Sequence, residues 1–148
     1  MRSLLDINVL IALHDPDHIH NERALEWWAS NGSDGWASCP ISENGFVRIT
    51  SSLRYHDSFS FSVGDCIEML NAFKLGSNHE FWPDDVSLCD DLVFIQDSIH
   101  GPRQLTDLYL LAIASRNGGR LVTFDQGISI ASVVDAVDNN LCVIRADD

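Results

Sequence analysis

The sequence has little positive charge. It contains nine lysine and arginine residues against 22 aspartate and glutamate residues, so its net charge is −13, and Lys74 is its only lysine. The basic residues are spread from Arg2 to Arg145 without a run. This distribution does not predict the basic face with which many proteins bind nucleic acid phosphates. The excess of acidic groups instead suits divalent cations and partners that carry positive charge.

Long apolar segments and paired cysteine motifs are also missing. No apolar run approaches the roughly 20 residues that a membrane span requires, and no signal-peptide cleavage pattern follows the first residues. We therefore expect a cytoplasmic protein without a membrane segment. Cys39, Cys66, Cys89 and Cys142 have no C-x-x-C spacing, which argues against a zinc site or a redox pair. We predict that all four are small core residues.

The apolar pattern predicts strands that alternate with helices in one α/β domain spanning residues 1–148. We expect strands at 2–6, 36–39, 120–124 and 141–144, and a short edge strand at 79–82. Helices are expected at 8–13 and 63–75, and another should begin between residues 18 and 21 and end at 31. A further helix should begin at Pro40 with Ser42 as its N-cap, and the last should run from its N-cap, Thr106, to 117. A short helix and a loop are expected in 86–100, a weak helix in 128–137, and a polar turn region in 51–62. The strands are apolar throughout rather than alternating, which favours a parallel sheet covered on both faces.

Three aspartates stand at the ends of apolar elements. Asp6 ends the first predicted strand, Asp107 lies at the start of an apolar helix, and Asp125 follows the strand at 120–124. An aspartate is rarely buried unless it is paired or binds a metal. Taken alone, Asp6 is explained equally well as the cap of the helix that follows it. The recurrence of the pattern favours a shared site.

The topology of a parallel sheet predicts where these acids meet. Ligands bind outside the carboxyl ends of the strands, and Asp6 and Asp125 are expected there. Asp107 and Glu43, in the first turns of helices that begin at the same edge, are expected to join them. Two carboxylates ~4 Å apart repel by about 4 kcal/mol at an effective dielectric constant near 20. The site therefore needs a proton or a cation.

The oxygen-only composition of this predicted site favours Mg²⁺ or Mn²⁺ over zinc. Such an ion suits phosphodiester hydrolysis, because it activates water, orients the phosphate and offsets developing negative charge. Asn8 and Thr123 are candidates for supporting residues that position a carboxylate or a water molecule. Ordinary capping and hydrogen bonding at a strand end explain these two residues at least as well.

Five segments taken together resemble the PIN domain, specifically the VapC-type toxins of bacterial toxin–antitoxin pairs. They read D-I-N-V-L, P-I-S-E-N-G-F-V-R-I, F-W-P-D-D, R-Q-L-T-D-L-Y-L-L-A-I-A and G-G-R-L-V-T-F-D. The resemblance implies a three-layer α/β/α sandwich with a five-stranded parallel sheet and Mg²⁺- or Mn²⁺-dependent endoribonuclease activity on RNA. It places Asp6, Glu43, Asp107 and Asp125 on the family's acidic positions and Thr123 on its strand-end hydroxyl. It also implies a VapB-like antitoxin partner and a homodimer. The tryptophans of the second helix suit a protein interface as well as they suit the core.

Three other functions compete with this one. A phosphoacceptor domain of the receiver type needs a lysine at the end of a late strand, whereas Lys74 lies in a predicted helix. A non-catalytic PIN-like binding module usually loses some of the acids, all of which are present here. A D-x-D phosphatase is disfavoured because Asn8 occupies the second position. Three histidines, His14, His18 and His20, lie close together in the sequence. They are expected in a solvated loop outside the site.

Overall fold

The fold is built on five parallel strands. The computed structural model describes residues 1–52, 55 and 61–146. The strands are β1 (Ser3–Leu5), β2 (Trp36–Ser38), β3 (His79–Phe81), β4 (Arg120–Thr123) and β5 (Leu141–Val143). They form one sheet in the order β3-β2-β1-β4-β5, and every neighbouring pair is parallel. The predicted parallel sheet is confirmed, with the strand at 79–82 at its edge.

In the described part of the chain, five α-helices lie between β1 and β4. They are α1 (Ile7–His14), α2 (Asn21–Asn31), α3 (Pro40–Thr50), α4 (Val63–Leu75) and α5 (Leu105–Arg116). Parallel strands need crossover connections, and these helices supply them on both faces of the sheet as far as β4, whereas the connection from β4 to β5 contains only 3₁₀ turns. Within the described residues, no helix is both long enough and apolar enough to cross a bilayer.

Alternate residues of the central strands face two separate hydrophobic clusters. Leu4 and Leu121 pack on one face against the apolar side of α5. Their chain neighbours Leu5 and Val122 pack on the other face, against a cluster that contains buried side chains of α1, α3 and α4. Successive side chains of a strand point to opposite faces, so a strand that is apolar throughout needs cover on both. The three-layer α/β/α architecture follows from this arrangement.

Two predicted helix caps are wrong. Cys39, not Ser42, is the N-cap of α3, because Pro40 occupies the first helical position, where its missing N–H costs nothing. The Ser42 hydroxyl reaches back and accepts from the Cys39 N–H at 3.0 Å. Thr106 is likewise not a cap, since α5 begins at Leu105 after a short 3₁₀ turn at Pro102–Gln104.

The weak helix predicted at 128–137 is not formed, whereas the short helix and loop predicted in 86–100 are present as a 3₁₀ helix among turns. Residues 128–137 contain only a 3₁₀ turn at Ile130–Ser132, and residues 86–100 contain turns and a 3₁₀ helix at Gln96–Ser98. The two segments pair with each other through an antiparallel bridge between Phe94 and Val133. This bridge satisfies backbone groups that a helix would otherwise satisfy. The predicted turn region at 51–62 falls largely outside the described residues.

Two predictions about single residues also need correction. Cys39 and Cys66 are buried and Cys142 is partly buried, but Cys89 is exposed and is not a core residue. His14 is not in a loop: it ends α1, and its ring lies edge-on to Phe46 and Phe73 at centroid distances of 5.3 and 4.7 Å. A histidine ring counts as polar in a sequence pattern, yet here it fills space between aromatic side chains.

Candidate metal centre

Asp6 lies where β1 ends and α1 begins. Its side chain is 6% exposed, and its two carboxylate oxygens have different partners. Oδ1 accepts from the Ile7 N–H at 2.8 Å, so Asp6 does cap α1, and Oδ2 accepts from the Thr123 hydroxyl at 2.7 Å. Burial raises the pKa of Asp6, while these two hydrogen bonds oppose the rise and the charge of Asp125 adds to it.

Thr123 connects two of the aspartates. It is fully buried at the end of β4, and its hydroxyl donates to Asp6 while accepting from the Asp125 N–H at 3.0 Å. Asp125 is exposed two residues later, and its Oδ1 accepts from the Gly127 N–H at 2.7 Å. The Thr123 hydroxyl therefore fixes both the Asp6 carboxylate, just after β1, and the backbone of Asp125, just after β4.

Asp107 completes a group of three carboxyls. It is the third residue of α5 and is partly buried. Burial raises the pKa of Asp107 to about 7, helped by the charge of Asp6, by a hydrogen bond with Asp125 and by the charge of Asp125. Asp107 and Asp125 also line one cavity of about 220 Å³ beside the 3₁₀ turn that precedes α5. The structure thus brings together Asp6, Asp107 and Asp125 from three separate parts of the chain.

Glu43 does not join this group. Its Oε2 accepts from the Lys74 ammonium at 2.9 Å and from the Ser38 hydroxyl at 2.5 Å. The Ser38 oxygen also lies 2.7 Å from His79 Nε2. Lys74, Ser38 and His79 were missed from the sequence because they lie on three different elements. The one available signal was that a sole lysine in so acidic a chain is expected to pair with a carboxylate.

The remaining candidates are placed as follows. Asn8 is exposed in the first turn of α1, and within the described chain its side chain makes no hydrogen bond. Lys74 lies in the last turn of α4. A receiver-type site would require this lysine at the end of a strand. His18 and His20 lie in the turn between α1 and α2, as predicted, but both are partly buried rather than solvated.

The chemistry of the three aspartates fits a hard divalent cation. All donors are carboxylate oxygens, and their mutual repulsion is relieved by a proton or by a cation. In residues 1–52, 55 and 61–146, no three His, Cys, Asp or Glu side chains are already arranged as a set of metal ligands. Instead Asp107 and Asp125 share a hydrogen bond, and Asp6 is bonded to Thr123. The three carboxyls are therefore adjacent, and their mutual repulsion favours a proton or a cation between them.

Comparison with known proteins gives a consistent result. The family model of the PIN domain matches residues 3–133. Ribonuclease VapC44 of Mycobacterium tuberculosis (strain CDC 1551 / Oshkosh) is 44% identical over 144 residues, which make up 97% of this chain and 100% of that protein. Ribonuclease VapC39 of the same strain is 41% identical over 138 residues, 93% of this chain and 99% of that protein. Ribonuclease VapC38 of strain ATCC 25618 / H37Rv is 44% identical over 126 residues, 85% of this chain and 86% of that protein.

Proposed function

Because this chain belongs to the PIN-domain family, and within it to the VapC-type ribonucleases, we propose that it is a metal-dependent endoribonuclease toxin. It hydrolyses phosphodiester bonds of RNA at the carboxylates of Asp6, Asp107 and Asp125. The observation that carries the proposal is the meeting of Asp6, Asp107 and Asp125 from three separate parts of the chain, where burial and the two neighbouring acids raise the pKa of Asp107. Titratable groups perturbed in this way, by desolvation together with a specific charged partner, concentrate at functional sites.

Asp6, Asp107 and Asp125 are the proposed ligands of Mg²⁺ or Mn²⁺. A bound divalent ion would supply the positive charge that these carboxylates lack and would offset negative charge on the phosphate during hydrolysis. Glu43 was predicted as a fourth ligand. Its partners, Lys74 and Ser38, already satisfy its charge, so its contribution to the site requires that it leave them.

Thr123 is the proposed positioning residue. It is buried, and its hydrogen bonds hold the Asp6 carboxylate and the backbone of Asp125 in fixed relation. Because the Asp6 carboxylate is already held in one orientation, no conformational entropy is lost in ordering it when the cation or the RNA binds. Asn8 is exposed beside the start of α1 and stays a candidate for contact with the substrate or with water.

A VapB-like antitoxin is the proposed protein partner in the cytoplasm, and the chain acts as a homodimer. The VapC names of the relatives support the first part, and a net charge of −13 suits a partner with basic side chains. Trp27 and Trp28 pack against the cluster around Trp36 and Phe73 while staying partly exposed, so they are available at such an interface. A short protein encoded beside this gene that binds the chain and blocks cleavage would support the antitoxin. A mass of twice 16.5 kDa in solution would support the dimer.

The catalytic proposal is tested with Asp6→Asn and Asp107→Asn. Each change removes ligand charge and also repulsion, so we expect both variants to fold and to cleave RNA only at the background rate in Mg²⁺ or Mn²⁺. Asp138→Asn is the matched control, because Asp138 is exposed just before β5, at the opposite edge of the sheet. It should cleave like the parent protein. Wild-type cleavage by both site variants would show that the ligands are wrongly assigned, and an inactive parent would favour a non-catalytic PIN-like module.

A further inference from the structure

Most of the basic side chains already have partners. Five of them are held by ion pairs, hydrogen bonds or aromatic rings: Arg2, Arg23, Lys74, Arg116 and Arg120. Arg54 lies outside the described residues. In the described part of the chain, the other three, Arg48, Arg103 and Arg145, have no ion pair, hydrogen bond or ring contact. Free guanidinium groups are unexpected in a chain with 22 acidic residues.

Arg103 lies beside the carboxylates without pairing with them. It is exposed in the 3₁₀ turn that leads into α5, and it lines the cavity of about 220 Å³ that Asp107 and Asp125 also line. Neither aspartate forms a salt bridge with it. Its guanidinium is therefore available to a negative group that enters this cavity.

Arg48 lies beside a second cavity next to the same site. It is exposed on α3 and lines a cavity of about 400 Å³ together with Ile7 and Thr106. These two residues are the chain neighbours of Asp6 and Asp107. The first cavity lies between the start of α5 and the segment after β4, and the second lies between the start of α5 and α3. The two free arginines therefore flank the carboxylates.

We propose that Arg103 and Arg48 bind backbone phosphates of the RNA on the two sides of the bond that is cut, an inference that rests on the proposed function. An RNA phosphate approaching three carboxylates is repelled, and a guanidinium offers it paired, charge-assisted hydrogen bonds. By contrast, Arg2 and Arg120 are bound to partners at the opposite edge of the sheet, around the starts of β1, β2 and β3. Arg116, at the far end of α5, is paired with Asp85. Two placed arginines thus take over the role of the basic face that the sequence lacks.

The test measures RNA binding and its dependence on salt. Arg103→Ala and Arg48→Ala are made in the Asp107→Asn background, which prevents cleavage. The probe is a fluorescein-labelled, random-sequence 20-nucleotide single-stranded RNA, followed by anisotropy between 50 and 200 mM KCl. Each lost phosphate contact should reduce the slope of log K against log salt by about 0.7 and weaken binding roughly tenfold or more. Arg116→Ala, an exposed arginine at the far end of α5 with a 3.5 Å surface ion pair, should change neither quantity.

In the active protein, the same substitutions should raise KM for RNA more than they lower kcat. Arg103→Lys should restore part of the binding, because it keeps the charge but loses the paired geometry. Suppose that the parent cleaves RNA normally and that neither Arg103→Ala nor Arg48→Ala changes the KM or the salt slope. That result would overturn the phosphate-binding role of the two arginines and leave the proposed function intact. A parent protein that neither binds nor cleaves RNA would overturn the proposed function and this inference with it.

Discussion

Replacing Asp107 with asparagine should make the cation-free protein more stable at alkaline pH. Asp107 is partly buried next to Asp6 and Asp125, and burial and these neighbours raise its pKa from 3.8 to about 7. A folded-state pKa above the unfolded value means that ionisation opposes folding. The contribution of Asp107 to stability is therefore fully present below pH 3.8 and is lost as the pH rises towards about 7. Asparagine keeps the shape and removes the charge.

The size of the effect follows from the two pKa values. The difference of about 3 pH units corresponds to about 4 kcal/mol at 1.36 kcal/mol per unit, which is an upper bound. Asp107 is partly exposed and solvent screens its charge, so we expect roughly 1 to 2 kcal/mol. For a chain of this length, that is a rise in Tm of roughly 2 to 8 °C. The gain should be largest above pH 7 and should shrink as the pH falls towards 4.

The assay is thermal unfolding in EDTA between pH 4 and pH 8.5, with parent protein, Asp107→Asn and the control Asp138→Asn side by side. Asp138 is exposed, and its side chain has no partner in the described chain, so its replacement should leave Tm nearly unchanged at every pH. If Asp107→Asn melts no higher than the parent at pH 8, the three carboxyls do not repel one another as their placement implies. Such a result would refute a cation site at these three carboxyls.

Three further perturbations test other parts of the structure. Mn²⁺ at ~100 times its Kd should stabilise the parent by about 2.7 kcal/mol, which is roughly 5 to 11 °C in Tm, and a flat titration would argue against a cation site. Lys74→Met should cost roughly 1 to 3 kcal/mol in urea unfolding, since it leaves Glu43 partly buried without its cation. Adding Glu43→Gln should recover part of that loss, and strictly additive losses would contradict the pairing. Gly119→Ala should cost at least ~2 kcal/mol, because the new Cβ would lie 2.6 Å from the Arg2 carbonyl oxygen and from Trp82 Cη2; wild-type stability would contradict that packing.

The sheet was predictable from local pattern, whereas several helix boundaries were not. A strand that is apolar at every position must be covered on both faces, so residues such as Leu4, Leu5, Leu121 and Val122 indicate a parallel sheet directly. The weak helix predicted at 128–137 failed because Val133 pairs with Phe94 from a distant segment. That pairing supplies hydrogen bonds which no local pattern contains.

The candidate site shows the same division. Asp6 and Asp125 follow strands, and strand ends are visible in the sequence, so their meeting at one edge was predicted from topology. Glu43 satisfies the same topological rule, yet it pairs with Lys74, 31 residues further along the chain. The position of a helix start relative to the sheet places Glu43 at the expected edge. The direction of its carboxylate depends instead on the nearest cation, which is Lys74.

The order of apolar and acidic residues by itself determined that this chain forms a parallel sheet with acids at its carboxyl edge, because strand periodicity and strand polarity are local properties. Only the tertiary structure decided which acids meet and which positive groups stay free. Charges act through space over a few ångströms, and those separations are set by how distant elements pack. For that reason Glu43 is neutralised by Lys74, while Arg48 and Arg103 stay available beside the three aspartates.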